Sequence, residues 1–124
     1  MQSAAMLDRI LLHVADTPGM ERTATWTMEL ARAVSARIFA VAVIGAKEMP
    51  DVEERAWELL YGVEDDAFEQ NVRVSLLLEQ GEPLPRLLQL SASYEIGLLV
   101  AGADSRLDIP ELVRKSSRPV VFVK

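Results

Sequence analysis

The feature that most constrains the fold is a regular alternation of short apolar runs with amphipathic segments. Five apolar runs have the length of strands, and the four segments between them repeat apolar residues at three- and four-residue steps, as helices do. Strands that alternate with helices form parallel sheets through right-handed crossovers. The order therefore predicts a doubly wound α/β fold with a five-stranded parallel sheet and helices on both faces. The predicted strands are 10–15, 38–44, 72–78, 98–101 and 119–123.

Three of these runs also indicate where their strands lie in the sheet. Run 38–44 is apolar on both faces, which is typical of a central strand covered on each side. Run 72–78 alternates in part, which favours a position near a sheet edge. The last run is an apolar strand that would be an exposed edge unless something pairs with it, so we expect a homodimer through it. The predicted interface residues are Val120, Val121, Phe122 and Val123.

Short polar residues ahead of the helical segments predict where the helices begin. Thr17 precedes a proline and can cap the first helix. Asp51 with Glu54, and Asp108 with Glu111, have the spacing of a capping box. We therefore expect side-chain caps at three of the four helices.

Length and composition limit the classes of protein. A chain of 124 residues is the usual size of one domain, so we expect a single domain over 1–124. Nineteen acidic against 13 basic residues give a net charge of -6, which argues against nucleic-acid binding. The absence of cysteine excludes disulfides and thiolate sites. No leader and no apolar run of about 18–20 residues is expected, which predicts a cytoplasmic protein without membrane insertion.

The sequence carries none of the usual enzyme motifs. It lacks a P-loop, a dinucleotide-type glycine triplet, a nucleophile elbow and a zinc-protease helix. His13 is the only histidine and lies inside an apolar run, so we expect it to be packed or at the rim of the sheet rather than a metal ligand. These observations predict a protein that is not an enzyme and holds no metal.

A doubly wound sheet binds its ligand at the carboxyl ends of the strands, where the strand order reverses. The residues that follow the first and fourth strands are therefore the candidates. They are Asp16 and Thr17 after the first strand, and Gly102 through Arg106 after the fourth.

Several segments carry a resemblance to a known family. In chain order they are Arg9–Val14, Glu29–Ala36, Glu79–Pro83, Gly97–Gly102 and Arg114–Val120. Together they resemble the universal stress protein family across nearly the whole chain. The resemblance implies an adenine nucleotide alpha hydrolase-like sheet of order 3-2-1-4-5 and dimers that form through the last strand. It also implies that ATP binds at the rim in the members that bind nucleotides.

The nucleotide-binding members carry a glycine motif: a glycine after the fourth strand, a second glycine after two further residues, and then, after nine more, glycine followed by serine or threonine. This chain departs from that glycine marker. Gly102 matches the first glycine, but Ser105 stands at the second position and no glycine follows. On this alignment about ten residues of the loop that would cradle phosphate are missing. Asp16 stands one residue later than the family's aspartate, where this chain has Ala15, whereas Val43 matches the valine beside the adenine.

Two hypotheses follow from this departure. The first is a stress-response or regulatory domain without a cofactor, which does not bind ATP and acts through homodimerisation and protein contacts. The alternative is a domain that binds ATP or AMP through a remodelled phosphate loop. The candidate residues of that degenerate crevice are Asp16, Thr17, Val43, Gly102 and Arg106.

Overall fold

A computed structural model describes residues 7–47 and 49–124, which form five strands and four helices. The segment 1–6, for which no leader was expected, lies outside the described residues. The strands are β1 (Arg9–His13), β2 (Arg37–Ile44), β3 (Val74–Gln80), β4 (Leu98–Gly102) and β5 (Val120–Val123). The helices are α1 (Met20–Val34), α2 (Pro50–Glu69), α3 (Pro83–Ser93) and α4 (Ile109–Lys115).

The strands form one parallel sheet in the order β3-β2-β1-β4-β5. Ile10 of β1 is paired with Ile38 of β2 on one side and with Leu98 of β4 on the other. The predicted fold class and strand order are therefore confirmed. The order reverses between β1 and β4, which fixes the position at which a doubly wound sheet opens a crevice.

Each face of the sheet is covered by two helices. Because side chains alternate along a strand, Leu12 and Leu11 of β1 belong to different cores. The core under α1 and α2 includes Ile10, Leu12, Ile38, Ala40, Met28, Ala31, Leu60 and Val63. The core under α3 and α4 is smaller and includes Leu11, Phe39, Val41, Leu87, Leu90, Leu99 and Leu112.

The two outer strands are the least buried. Every residue of β5 is half-buried, and so is every residue of β3 except Gln80, which is exposed. By contrast, six of the eight residues of β2 are buried. The expectation that the third strand lies at an edge is confirmed.

Two of the three predicted helix caps are wrong. α1 begins at Met20 with Gly19 as its N-cap, so Thr17 lies outside the helix. Glycine has no side chain, and the N-cap residue therefore makes no capping hydrogen bond. α2 begins at Pro50, which makes Met49 the N-cap and removes Asp51 from the capping position. Only Asp108 caps as predicted, since its Oδ1 accepts the backbone N–H of Glu111 at 3.1 Å.

Within the described part of the chain, none of the helices combines the length and the apolar character that crossing a membrane requires.

Candidate ligand crevice at the carboxyl end of the sheet

A cavity of about 500 Å³ opens at the carboxyl ends of β1 and β2, beside the loop that follows β4. We call it the rim crevice. It lies where the strand order reverses, and its volume is within the roughly 300–1,000 Å³ of small-molecule sites. Its lining residues are His13 to Thr17, Ala42 to Ile44, Asp51, Val52, Arg55, Ala56, Leu59, Pro83 and Ser105 to Leu107.

One wall of the rim crevice is apolar. The end of β2 contributes Val43 and its two neighbours, and the first half of α2 contributes Val52, Ala56 and Leu59. α2 places these side chains there because it starts directly after the turn that leaves β2 and packs back against β2 and β3. Such a wall suits a flat apolar group such as an aromatic ring.

The rim crevice is also lined by two buried polar side chains. His13 is only 4% exposed and Ser105 is also buried. Neither His13 Nδ1 nor Ser105 Oγ has a hydrogen-bond partner within 7–47 and 49–124. Leaving such a group unsatisfied costs about 1–3 kcal/mol, and native proteins rarely do so without a reason.

Burial also sets the charge of the histidine. Desolvation lowers the pKa of His13 from 6.5 to about 4, because the low-dielectric surroundings disfavour the imidazolium. The ring is therefore neutral at pH 7 and offers one donor and one acceptor nitrogen.

An arginine that the sequence did not suggest lies at the mouth of the rim crevice. Arg55 donates to both carboxylate oxygens of Asp16 at 3.3 Å and to Glu58 at 3.1 Å. The hydrogen bond to Asp16 is the main cause of a raised pKa of Arg55. All three side chains are exposed, so the group is an accessible ion-pair network that a ligand can rearrange. The available signal was that Arg55 is the only basic residue in an otherwise acidic helix.

Arg106 brings a second cation and an unusual backbone conformation. Its φ is 66°, in the left-handed region that residues other than glycine rarely adopt. The other non-glycine residues of this kind, Ser35, Asn71 and Glu95, lie one or two residues beyond the ends of helices, where a left-handed residue is common. Arg106 ends no helix, and it has no ion pair within the described ranges. The loop therefore holds a guanidinium at the rim through a conformation that regular structure does not require.

Asp104 joins the loop after β4 to the loop after β1. Its carboxylate accepts the backbone N–H of Gly19 at 2.8 Å and the hydroxyl of Thr17 at 3.0 Å. The start of α1 is thus capped by a residue distant in sequence, which is why the expected local cap from Thr17 is absent.

Gly102 has a packing role beside this bridge. A Cβ at Gly102 would lie 3.0 Å from Asp104 Oδ1 and 3.1 Å from Thr23 Oγ1. These approaches are tighter than most Cβ contacts, so a larger residue at Gly102 would force the Asp104 or Thr23 side chain to shift by a few tenths of an ångström. Gly102 itself does not line the rim crevice.

Across 7–47 and 49–124, no three histidine, aspartate or glutamate side chains are grouped in a way that could hold a metal ion.

Solved structures with the same fold provide the comparison. A universal stress protein family member from Burkholderia pseudomallei is 19% identical, with a TM-score of 0.83 over 96% of this chain and 97% of that one. The universal stress protein from Archaeoglobus fulgidus in complex with dAMP is 16% identical, with a TM-score of 0.81 over 95% and 98%. A universal stress protein in complex with cAMP is 17% identical, with a TM-score of 0.78 over 94% and 96%.

The chain has the universal stress protein fold. No protein-family model matches the sequence, and no curated protein sequence matches it. The likeness is therefore carried by the structure, at identities below 20% over nearly the full length of each chain compared.

Within this universal stress protein fold, four of the five predicted crevice residues line one cavity. Asp16, Thr17, Val43 and Arg106 surround the rim crevice, whereas Gly102 lies behind it. Sequence reasoning did not identify Arg55 as part of the site, and it did not foresee the unpartnered atoms of His13 and Ser105.

Proposed function

We propose that the domain binds an adenine nucleotide with a short phosphate group, of the AMP class, in the rim crevice. The observation that carries the proposal is the crevice itself, which remains open at about 500 Å³ although the glycine marker is absent from the sequence. The structure therefore favours the alternative hypothesis over the first, in which nucleotide binding is lost.

The walls of the crevice suit the two ends of such a ligand. The apolar wall around Val43 can cover one face of the base, and the exposed carboxylate of Asp16 can accept hydrogen bonds at its edge. Arg106 and Arg55 are the cations that line the crevice, and a guanidinium binds phosphate oxygens in a bidentate manner. The ligand then aligns with its base toward β2 and its phosphate toward Arg106 in the loop after β4, while Arg55 holds Asp16 at the edge of the base.

The length of that loop supports a monophosphate over a triphosphate. Only 103–108 separate β4 from α4, and α4 has seven residues. A triphosphate needs several converging donors, and glycine-rich loops provide them through backbone N–H groups. The solved neighbours in complex with dAMP and cAMP also hold nucleotides with one phosphate group.

Calorimetry with AMP, cAMP, adenosine and ATP tests the proposal, together with mass spectrometry of nucleotides released from the purified protein. We expect AMP to bind more tightly than adenosine, because of the phosphate, and more tightly than ATP. Arg106→Ala should weaken AMP binding toward the affinity of adenosine and leave adenosine binding unchanged. Arg73→Ala is the matched control, since Arg73 precedes β3 and lies at the opposite end of the parallel sheet. Equal weakening in both variants, or no binding of any of the four compounds, would contradict the proposal.

A second candidate function is assembly through β5. β5 is an edge strand of four apolar residues, each half-buried within a single copy. Such a strand is stable when it pairs, so we propose a homodimer in which Val120 to Val123 meet their counterparts. The domain would then act as a cytoplasmic regulatory dimer that binds a nucleotide without catalysing a reaction.

Sedimentation velocity over a range of micromolar concentrations tests the dimer. We expect Val121→Lys to shift the protein to monomer, because two lysines would face each other across the strand pair. Val113→Lys, which introduces the same charge on exposed α4, should leave the dimer intact. A wild-type protein that stays monomeric throughout would rule out this second function.

A further inference from the structure

The free edge of β3 presents unpaired backbone groups. At its two ends, Ile38 donates to the carbonyl of Arg73 at 2.9 Å and Gly81 donates to the carbonyl of Ile44 at 2.8 Å. In a parallel pair, alternate residues of an edge strand bond to its neighbour. Arg73 and Gly81 bond to β2, and so does every second residue between these two. Val74, Leu76 and Leu78 alternate with the bonded residues, so their backbone N–H and C=O groups point toward the open edge.

Aromatic side chains of α2 lie beside this edge. Trp57 and Tyr61 are stacked, with ring centroids 5.5 Å apart, and Trp57 packs against the same core as Leu76 and Leu78 of β3. Tyr61 is 53% exposed, and Phe68, which lies two turns beyond Tyr61 along the helix, is 84% exposed. We call Trp57, Tyr61 and Phe68 the aromatic row.

The helical period places the aromatic row on the outer side of α2. Asp66 and Gln70 face α1, where they share a surface pocket with Arg32, which donates to Gln70 at 2.7 Å. Trp57 precedes Asp66 by nine residues, which is about half a turn around the helix axis at 3.6 residues per turn. The aromatic row therefore points away from α1, toward the side on which β3 has no neighbour.

The same helix is strongly acidic. α2 carries eight carboxylates and a single basic residue, Arg55, which is engaged with Asp16 and Glu58. Four further carboxylates lie within or beside the aromatic row by the helical period and are exposed: Glu53, Glu54, Glu64 and Asp65. A segment that docks there must therefore bring apolar groups for the rings and positive charge for the carboxylates.

We propose that the β3 edge and the aromatic row together bind an extended, positively charged segment of a partner protein, which adds to the sheet as a further strand. Main-chain hydrogen bonds to β3 fix the register of the added strand, and every second side chain of that strand reaches the aromatic row. A second copy fits this edge poorly, because pairing two β3 edges would bring two acidic α2 helices together.

A fluorescent seven-residue peptide in which lysine and valine alternate is a direct probe. We expect the wild-type protein to raise its fluorescence anisotropy, and the same peptide with glutamate in place of lysine to have no effect. The double variant Tyr61→Ser/Phe68→Ser should weaken binding by about tenfold or more, as expected when anchoring aromatics are lost. Glu64→Lys should weaken it as well, and Val113→Ser, an exposed apolar change on α4, should not.

Hydrogen exchange separates strand addition from loose electrostatic attraction. On addition of the lysine peptide, the amides of Val74, Leu76 and Leu78 should become protected, since their N–H groups point outward. Equal binding of the glutamate peptide, unchanged affinity in the double variant, or absent protection of these amides would each overturn the proposal. So would a concentration-dependent polymer in sedimentation that the double variant abolishes, because the occupant would then be another copy of the chain.

Discussion

On the thick face of the sheet the covering helices α1 and α2 have 15 and 20 residues, whereas on the thin face α3 and α4 have 11 and seven residues. His13 lies on that face, two residues beyond Leu11 of the smaller core. His13 and Val43 therefore belong to the thin face of the sheet, whereas Val52, Ala56 and Leu59 of the apolar wall belong to the thick face.

The largest expected effect on stability comes from replacing one buried leucine on each face of the sheet. Leu60 on α2 and Leu87 on α3 are both fully buried. Replacement by alanine costs about 2–5 kcal/mol of unfolding free energy, and the cost rises with the cavity that remains. We expect Leu60→Ala near the upper end and Leu87→Ala near the lower, because the shorter helix can shift to fill the space. Urea denaturation measures both, and equal losses would remove the distinction between the faces.

Lowering the pH should reduce the free energy of unfolding, because the buried His13 on the thin face becomes protonated. The folded-state pKa of about 4 lies below the unfolded value of 6.5, so the unfolded chain takes up the proton first. The stability contributed by the neutral ring is fully present above pH 6.5 and is lost as the pH falls toward 4. The loss of unfolding free energy amounts to about 3 kcal/mol, since each unit of pKa difference corresponds to about 1.36 kcal/mol. His13→Gln should flatten the pH dependence in this window, and an unchanged slope in that variant would assign it to carboxylates instead.

The helix caps give a smaller contrast between the faces. Asp104 caps α1 on the thick side and Asp108 caps α4 on the thin side. Loss of a cap typically costs about 0.5–2 kcal/mol. We expect Asp104→Ala to cost more than Asp108→Ala, because Asp104 also holds Thr17. Asp65→Ala, at an exposed position about one turn before the end of α2, removes a carboxylate that caps no helix and serves as the control in thermal unfolding. We expect no loss of stability there, and a loss comparable to that of Asp104→Ala would show a general charge effect.

The smallest effect on stability is expected at Arg55. Its ion pairs with Asp16 and Glu58 are exposed, and such pairs contribute little to folding. Arg55→Gln should leave the denaturation midpoint unchanged while altering the affinity for AMP. A clear shift of the midpoint would show that the network is structural and would weaken its assignment to the ligand.

The sheet could be predicted from the sequence because strand identity and strand position are both encoded in local patterns. Run 38–44 is apolar throughout and lies in the interior, and the partial alternation of run 72–78 lies at the edge. These patterns depend only on which faces of a strand are covered.

The cap at α1 could not be predicted, because it depends on a contact across the fold. Thr17 has a capping residue type and a plausible position, yet the N–H of Gly19 is bound by Asp104, 85 residues away. Arg55 escaped prediction for the same reason, since its partner Asp16 is 39 residues distant. Residues whose role depends on a partner distant in sequence leave at most a weak local signal, such as the single basic residue of the acidic helix α2.

The bridge from Asp104 to Gly19 also bears on how the molecule folds. β1 and β4 are direct neighbours in the sheet, but β2 and β3, which lie on the other side of β1, come between them in the sequence, so the pairing of Ile10 with Leu98 spans a long stretch of chain. Contacts of such long sequence separation form late, because closing the loop costs entropy before any pairing repays it. We therefore expect the rim crevice to form only when β4 pairs with β1, so that a chain without this pairing lacks the crevice.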